Sequence, residues 1–475
     1  MARVFLFLIF CCHSLTLFSQ GYELKFKVEG LADTTFLLGN FFGESTYVKD
    51  TAKANSKGEF TFAGNETLEE GMYFLVLNKM RLFDFVVGKD QKFTISTTHP
   101  DYIPRMIVSG DIDNELFLKD MLFNADRNKE ARPFVQIVQD SLASEEAKKE
   151  ARSELDKISA KVDEHINEVL GSYPESVLAT IMKANQQLEI PDPPTTKNGK
   201  EVSEWQYRYY RERYWNSFDL GNPILLRLSR PIYKKKVEEY LDKLIVPDPD
   251  SVNTAISKMV ETAKGDLNTY KYLVWTTTIK YQSPEIMGLD KVFVYLYDTY
   301  FASGEMDYWA NDQLKKNLKE RADQLRSSLI GMPAPNLIMQ DQHLQKKELY
   351  SLTNNYTVIY FYDPDCGHCK KETPKLREFH EATKYDVGIF SVSADTSIIK
   401  MSDYIATMNI GKWTNVNGPR TYTVNYQKVY DATTTPTIYV LNKDKEIIAK
   451  KISAARIEEF IGQYERVTEA RKNQN

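Results

Sequence analysis

Hydrophobic and polar residues alternate at the start of the segment that follows residue 20, as Tyr22, Leu24 and Phe26 show. Later apolar runs in this segment are short, and turn-forming stretches such as Ser56-Lys57-Gly58 separate them. Alternation is typical of a strand with one buried face, and short strands divided by turns are typical of a sandwich. The pattern therefore predicts an antiparallel β-sandwich over residues 21–112.

The spacing of apolar residues then changes from two to between three and four, which is the period of an α-helix. Ser144, followed by two carboxylates, is a suitable start for one such helix, and Gly171 is a suitable end. Prolines cluster in Ile190–Gly199, where we predict a loop or lid. Aromatic residues crowd Trp205–Phe218, which we interpret as a helical stretch packed in a core. The pattern predicts an all-α region over residues 113–330.

Gly331-Met332-Pro333-Ala334-Pro335 interrupts the helical pattern, and strand and helix signals alternate beyond it. Such alternation is typical of a layered α/β domain, predicted here for residues 331–475. The fold class expected for the chain is multidomain α+β. The predicted strands are Thr357–Tyr362, Val387–Val392, Thr437–Leu441 and Glu446–Lys451, and the predicted helices are Cys369–Lys384, Ile398–Met408 and Ile457–Thr468.

Residues 1–20 have the pattern of a cleavable signal peptide: Arg3, an apolar run over Val4–Cys12, and small or polar residues from Ser19. We therefore expect export to the periplasm or cell envelope, and no stable membrane span after cleavage. An uncleaved membrane anchor and lipidation at Cys11 or Cys12 are the alternatives.

The chain has 475 residues and a formal net charge of -5, which gives no electrostatic reason to expect a nucleic acid as a partner. After cleavage, Cys366 and Cys369 would be its two remaining cysteines. A disulfide that closes so short a loop constrains little of the unfolded chain. A structural zinc site normally has four protein ligands, and no second cysteine pair is present. The pair therefore indicates redox chemistry that needs no metal and no cofactor.

The pair follows a predicted strand, Thr357–Tyr362, and begins a predicted helix. Disulfide exchange needs a thiolate, and the positive end of a helix dipole favours that anion. His368, between the cysteines, could favour it further. We expect Cys366 to be the exposed nucleophile, and Cys369, one turn later, to be the buried resolving thiol.

From Gly331 onward the chain resembles the TlpA/ResA branch of the thioredoxin superfamily. The matching residues are Gly331-Met332-Pro333-Ala334-Pro335, Cys366-Gly367-His368-Cys369, Glu372, Pro374 and Thr435-Pro436-Thr437. The resemblance implies that Pro436 is a cis-proline facing the cysteines and that Glu372 carries the proton of Cys369. It also implies that Gly367, Thr435 and Pro436 bind the substrate.

Two positions depart from thioredoxin itself. Tyr360 stands where thioredoxin has a buried carboxylate, and Asp365 stands where it has an aromatic residue. Asp365 and the nearby Asp363 oppose the helix dipole, which would raise the pKa of Cys366. From the sequence, the sign of the net effect on that pKa stays open.

Upstream segments resemble two domain types found in exported proteins. Gly58-Glu59-Phe60 and Gly71-Met72-Tyr73 are similar to DUF4369, and Tyr214–Leu220 is similar to DUF5106. These resemblances imply no chemistry for the first two regions.

The combined expectation is an exported thiol–disulfide oxidoreductase that acts on protein thiols or disulfides and exchanges electrons with an envelope donor or acceptor. Whether it reduces or isomerises disulfides is left open. The alternatives are an envelope binding or scaffold protein with an incidental thioredoxin-like domain, and a thiol peroxidase.

Overall fold

The computed structural model describes residues 21–193 and 199–472, and the chain divides into two compact units. The first unit extends to Leu244 and includes Glu261–Tyr270, and the second comprises Ile245–Val260 and the residues from Lys271 onward. The expected signal peptide and residues 194–198 of the predicted loop lie outside the described residues. Within the described ranges, no helix combines the length and the apolar character that crossing a membrane requires. The three domain boundaries given above stay predictions.

The first unit opens with a β-sandwich of two four-stranded sheets, in the orders β4-β1-β7-β8 and β3-β2-β5-β6. Neighbouring strands are antiparallel, except that β1 and β7 run parallel. The strands are β1 (Glu23–Glu29), β2 (Thr35–Phe42), β3 (Ser45–Lys53), β4 (Glu59–Ala63), β5 (Gly71–Leu77), β6 (Met80–Val87), β7 (Lys92–Thr98) and β8 (Ile107–Ser109).

Alternation along the strands fills the sandwich with aromatic rings. Leu24, Phe26 and Val28 of β1 are buried, whereas the residues between them are more exposed. Phe36 and Phe60 stack with ring centroids 4.2 Å apart. Buried aromatic pairs of this kind add to the stabilisation from apolar burial itself. The predicted sandwich is confirmed.

The central region is helical, as predicted. Asp111 and Ser144 cap the first two helices by accepting hydrogen bonds from backbone N–H groups, so the predicted start at Ser144 is confirmed. The aromatic stretch Trp205–Phe218 is helical only as far as Arg213 and continues as a turn, which corrects the prediction. The helices are α1 (Ile112–Gln139), α2 (Glu145–Ser172), α3 (Val177–Asn185), α4 (Gly199–Arg213), α5 (Ile232–Lys243), α6 (Pro249–Ala263), α7 (Leu267–Gln282), α8 (Asp290–Leu296) and α9 (Asp312–Arg326).

The C-terminal part is a seven-stranded mixed sheet in the order β10-β9-β13-β12-β11-β14-β15. Strands β11, β12 and β13 run parallel, and β14 and β15 are antiparallel to their neighbours. The α/β prediction is confirmed, and β13 is a strand that the pattern did not locate. The strands are β9 (Ile338–Gln340), β10 (Lys346–Glu348), β11 (Tyr356–Tyr362), β12 (Val387–Ser393), β13 (Thr414–Thr421), β14 (Thr437–Leu441) and β15 (Ile447–Lys450), and the helices are α10 (Gly367–Ala382), α11 (Ile398–Met408), α12 (Tyr426–Val429) and α13 (Ile457–Lys472).

Strand β11 lies inside this sheet, between β12 and β14, and every one of its residues is buried. Side chains on one face join the apolar cluster that includes Cys369, and those on the other face join the cluster that includes Tyr439. A strand buried on both faces is expected for a sheet with helices on each side. Because β11 is packed on both faces and paired with a strand on each edge, its C-terminal end fixes the position of the residues that follow it.

A buried ion pair connects β15 to α8 within the second unit. The Lys450 ammonium donates to the Asp290 carboxylate and to the carbonyl of Ser328, at 2.9 Å in the second case. Both charged side chains are only 4% exposed. An isolated buried charge is costly, so each partner depends on the other.

Removing one partner of this pair should destabilise the second unit. Asp290→Ala leaves the Lys450 ammonium buried without its carboxylate, and we expect a loss of about 3–5 kcal/mol in the free energy of unfolding, measured by urea denaturation. As a control, Asp307→Ala removes an exposed partner of Lys315 and should lower the free energy of unfolding far less than Asp290→Ala. Equal costs for the two variants would contradict the prediction.

Candidate active site

A tight turn joins β11 to α10 and places Cys366 at the N-terminus of the helix. The Asp365 N–H donates to the side chain of Asp363 at 2.8 Å, and the Cys366 N–H donates to the Asp363 carbonyl at 3.1 Å. Cys366 is the N-cap residue of α10, with extended backbone angles. The N-cap position faces backbone N–H groups that have no partner inside the helix.

The Cys366 sulfur is partly exposed, and its thiol donates to the carbonyl of Thr435 at 3.4 Å. Burial raises the pKa of Cys366, but hydrogen-bonding groups that favour the thiolate outweigh it, so the pKa lies below its ordinary value. These groups are the backbone N–H and thiol of Cys369, the Thr435 side chain and the backbone N–H of His368. The net shift in the pKa of Cys366, whose direction could not be predicted from the sequence, is therefore downward.

The Cys369 sulfur lies one turn further into α10, and the residue is fully buried. Burial raises the pKa of Cys369 to about 12, and the backbone N–H of Asp363 opposes this shift only in part. Both cysteines are free thiols. Neighbouring sulfurs on one helical turn thus have pKa values shifted in opposite directions.

The loop before β14 brings Thr435 and Pro436 to the cysteines. The Thr435–Pro436 peptide bond is cis, as the resemblance implied. The Thr437 hydroxyl donates to the Thr434 carbonyl at 2.6 Å and thereby ties the loop to the strand. The Thr435 carbonyl is consequently directed at Cys366 across 69 residues of sequence.

The other predicted site residues occupy different surroundings. Gly367 and His368 are exposed at the helix start. Glu372 lies one turn after Cys369, where its carboxylate accepts the Ala454 N–H at 2.7 Å and pairs with Lys375 at 3.3 Å. Its role as a proton carrier stays a prediction.

Three carboxylates lie close together beside the turn: those of Asp363, Asp365 and Asp395. The Lys400 ammonium pairs with Asp365 at 2.6 Å and with Asp395 at 3.2 Å. Its hydrogen bonds to these carboxylates raise the pKa of Lys400. The lysine charge thus offsets part of the negative charge that the sequence placed next to Cys366.

A buried hydroxyl cluster behind Cys369 was missed by the sequence analysis. The Tyr360 hydroxyl lies 2.8 Å from that of Thr373, which in turn lies 2.6 Å from that of Tyr404. The one available signal was the tyrosine at position 360, where thioredoxin has a carboxylate. Its two partners lie on different helices, so no local pattern could have identified them.

Three family models match consecutive parts of the chain. Residues 22–117 match DUF4369 and residues 144–323 match DUF5106, both domains of unknown function, and residues 330–450 match the AhpC/TSA family. The cysteine pair, the turn before it and the cis-proline all lie inside the third match.

Similar proteins match the same C-terminal part. Thiol-disulfide oxidoreductase ResA of Bacillus cereus is 27% identical over 146 residues, covering 29% of this chain and 79% of the relative. The crystal structure of a domain of a possible thiol-disulfide isomerase from Cytophaga hutchinsonii is 34% identical, with a TM-score of 0.28, and covers 30% of this chain and 97% of that one.

A thioredoxin-like protein from Bacteroides caccae is 17% identical, with a TM-score of 0.45, and covers 58% of this chain and 98% of that one.

The three matched family models and the similarity to ResA together assign each part of the chain to a domain family. The chain carries a thioredoxin-like AhpC/TSA-family domain at its C-terminus, preceded by DUF4369 and DUF5106 domains, and has ResA-like thiol–disulfide oxidoreductases among its homologues.

Proposed function

We propose that this chain is an exported thiol–disulfide oxidoreductase in which Cys366 attacks the disulfide of a protein substrate and Cys369 resolves the mixed disulfide. The observation that carries the proposal is the opposite shift in pKa of the two thiols. A thiolate is the attacking species in disulfide exchange. The thiol that is both exposed and more acidic is therefore the one suited to attack first.

Cys366 meets the requirements of the nucleophile. Its sulfur is accessible, and the N–H groups of His368 and Cys369 favour its anion without any metal or cofactor. His368 contributes its backbone in this account, and a tuning role for its imidazole is a further part of the proposal. A substrate sulfur would approach from the exposed side, next to Gly367.

Cys369 suits the second step because it is shielded from solvent and adjacent to Cys366. Once a mixed disulfide forms at Cys366, the neighbouring thiol is far closer to it than any thiol in solution, and such proximity accelerates the attack. Glu372, on the same side of α10 one turn later, is the proposed carrier for the proton that Cys369 must lose.

The substrate-binding residues proposed are Gly367, which follows Cys366 in the chain, and Thr435 and Pro436, of which Thr435 contacts the Cys366 sulfur. Thr435 presents its carbonyl toward the sulfur, and a backbone carbonyl can accept an N–H from an extended peptide. The partners proposed are protein thiols or disulfides, together with an envelope protein that supplies or accepts electrons. Export is proposed from the signal-peptide pattern of residues 1–20.

Alkylation should report the difference between the two thiols. With iodoacetamide, the labelling rate of Cys366 in the reduced chain should reach half its maximum at a pH below the ordinary pKa of a cysteine, which is about 8.5. The reason is that the lowered pKa makes the thiolate form at lower pH. Cys369 in a Cys366→Ser variant should stay unlabelled until strongly alkaline pH, because burial disfavours its anion. Mass spectrometry of labelled peptides measures both.

The same chain unfolded in urea is the control, since both cysteines should then label with the ordinary midpoint. Equal midpoints for Cys366 in the folded and the unfolded chain would contradict the nucleophile assignment.

Disulfide reduction tests the activity itself. The wild-type chain should accelerate the reduction of insulin by dithiothreitol, and Cys366→Ser should return the rate to that of dithiothreitol alone, because Cys369, the other cysteine among the described residues, is buried. Cys369→Ser should instead accumulate a mixed disulfide with insulin, visible on a non-reducing gel. Glu381→Gln, on the exposed surface of α10, is the matched control and should keep wild-type activity.

A Cys366→Ser variant as active as the wild type would overturn the proposal. Hydrogen peroxide turnover well above the rate of insulin reduction would instead favour a thiol peroxidase. An inactive wild-type chain would favour a binding or scaffold protein.

A further inference from the structure

Three buried hydroxyl groups meet behind the resolving cysteine. Tyr360 and Thr373 are fully buried and Tyr404 is 5% exposed. They come from β11, α10 and α11 respectively, and the chain distance between Thr373 and Tyr404 is 31 residues. The cluster therefore connects three elements that meet beneath the start of α10.

The cluster reaches Cys369 through its backbone. The Tyr360 hydroxyl donates to the Cys369 carbonyl at 3.5 Å, in addition to its bond with Thr373. Thr373 is one helical turn after Cys369, so it lies on the same side of α10. Cys369, which carries the resolving sulfur, is thus hydrogen-bonded to Tyr360 of β11 and, through Thr373, connected to α11.

Packing alone does not account for these hydroxyls. Around them lies an apolar cluster that includes Val358, Leu376 and Ile438. Phenylalanine and valine would fill the same space, and replacing hydrogen-bonded partners together by apolar groups of the same shape is nearly neutral for stability. Apolar packing does not fix the orientation of the groups, whereas hydrogen bonds between buried groups hold one particular geometry.

We propose that Tyr360, Thr373 and Tyr404 are positioning residues for the resolving step, which hold Cys369 where its sulfur can attack the mixed disulfide at Cys366. This inference rests on the function proposed above. The three hydroxyls touch neither the substrate nor the reacting sulfurs in this account; they act through the backbone and the first turn of α10.

The two steps of the reaction place different demands on this part of the site. In the first, the Cys366 thiolate bonds to one sulfur of a substrate disulfide, and the other substrate sulfur leaves as a thiolate. In the second, Cys369 loses its proton through Glu372 to solvent and bonds to the Cys366 sulfur. The bond from Cys366 to the substrate breaks, and the second substrate sulfur leaves as a thiolate that takes up a proton.

The substrate has then gained two electrons, and Cys366 and Cys369 have become a disulfide. Only the second step needs the Cys369 sulfur in line with the bond that breaks. Small displacements of a reacting group can slow such a step strongly.

The hydroxyls also suit a role that leaves the charge of the site unchanged. Burial raises the pKa of Tyr404 to about 12 and that of Tyr360 further still, so both stay neutral near neutral pH. A carboxylate at position 360 would add a charge beside Cys369. The three hydroxyls can hold the first turn of α10 in position without adding a charge to the site.

Dithiobis(nitrobenzoate), a symmetric aromatic disulfide, separates the two steps because each releases one coloured thiolate. The reduced full-length chain is mixed with a stoichiometric amount, and the two release rates are followed by stopped-flow absorbance. In Thr373→Val, the first release should stay within about twofold of wild type, and the second should slow about tenfold.

A set of variants keeps the test independent of folding. Thr373→Ser retains a hydroxyl and should restore most of the second rate. The combination of Tyr360→Phe, Thr373→Val and Tyr404→Phe leaves no hydroxyl of the cluster unpaired, so it should fold and still show the slow second release. Tyr356→Phe is the matched control: it removes a hydroxyl from the same face of β11, bonded to Glu465, and should change neither rate.

A second release at the wild-type rate in both Thr373→Val and the triple variant would overturn the inference. Equal slowing of both releases would also overturn it, because that result indicates a general effect on packing. A wild-type chain that gives no second release would instead overturn the proposed function, whatever the variants do.

Discussion

Backbone N–H groups at the start of α10 face the sulfur of Cys366, and the proposed chemistry depends on this contact. Partial burial favours the neutral thiol, whereas the N–H groups of His368 and Cys369 favour the anion and prevail. The contact exists because β11 is buried on both faces and ends in a hydrogen-bonded turn at Asp363. Strand β11 and its turn therefore place the Cys366 sulfur at the N-terminus of α10, which is the end of a helix that stabilises a negative charge.

One helical turn is enough to reverse the sign of the pKa shift. Cys369 has the same dipole near it, but it is enclosed by the apolar cluster beneath α10, and burial dominates. The difference assigns an order to the two sulfurs, with attack by the accessible one and resolution by the enclosed one. The buried thiol must also be held in the position from which it can attack. In the proposed role, the hydrogen-bonded hydroxyls of Tyr360 and Thr373 hold it there.

The C-terminal sheet belongs to a compact unit that also includes helices of the central region. Residues from Lys271 to the end of α9 belong to the same unit, and the Lys450–Asp290 pair is buried inside it. Arg321 of α9 adds a second, nearly buried ion pair with Asp431, which follows α12. The match to DUF5106, over residues 144–323, therefore extends across both units. Helices assigned to a family of unknown function thus contribute to the stability of the unit that carries the cysteines.

The sequence by itself determined the sandwich, the helical region, the α/β order and the cysteine pair at a helix start, because these follow from the spacing of neighbouring residues. It did not locate β13, where the buried side chains include the polar Asn415 and Asn417, whose amide N–H groups donate to the carbonyls of Ile410 and Asp395. Nor did it determine the pKa of Cys366 or the partners of Tyr360. The pKa of Cys366 depends on the balance between burial and the nearby N–H groups, with Thr435 added from a distant loop. The hydroxyls around Tyr360 lie on different helices, and only the packing of strand against helix brings them within hydrogen-bonding distance.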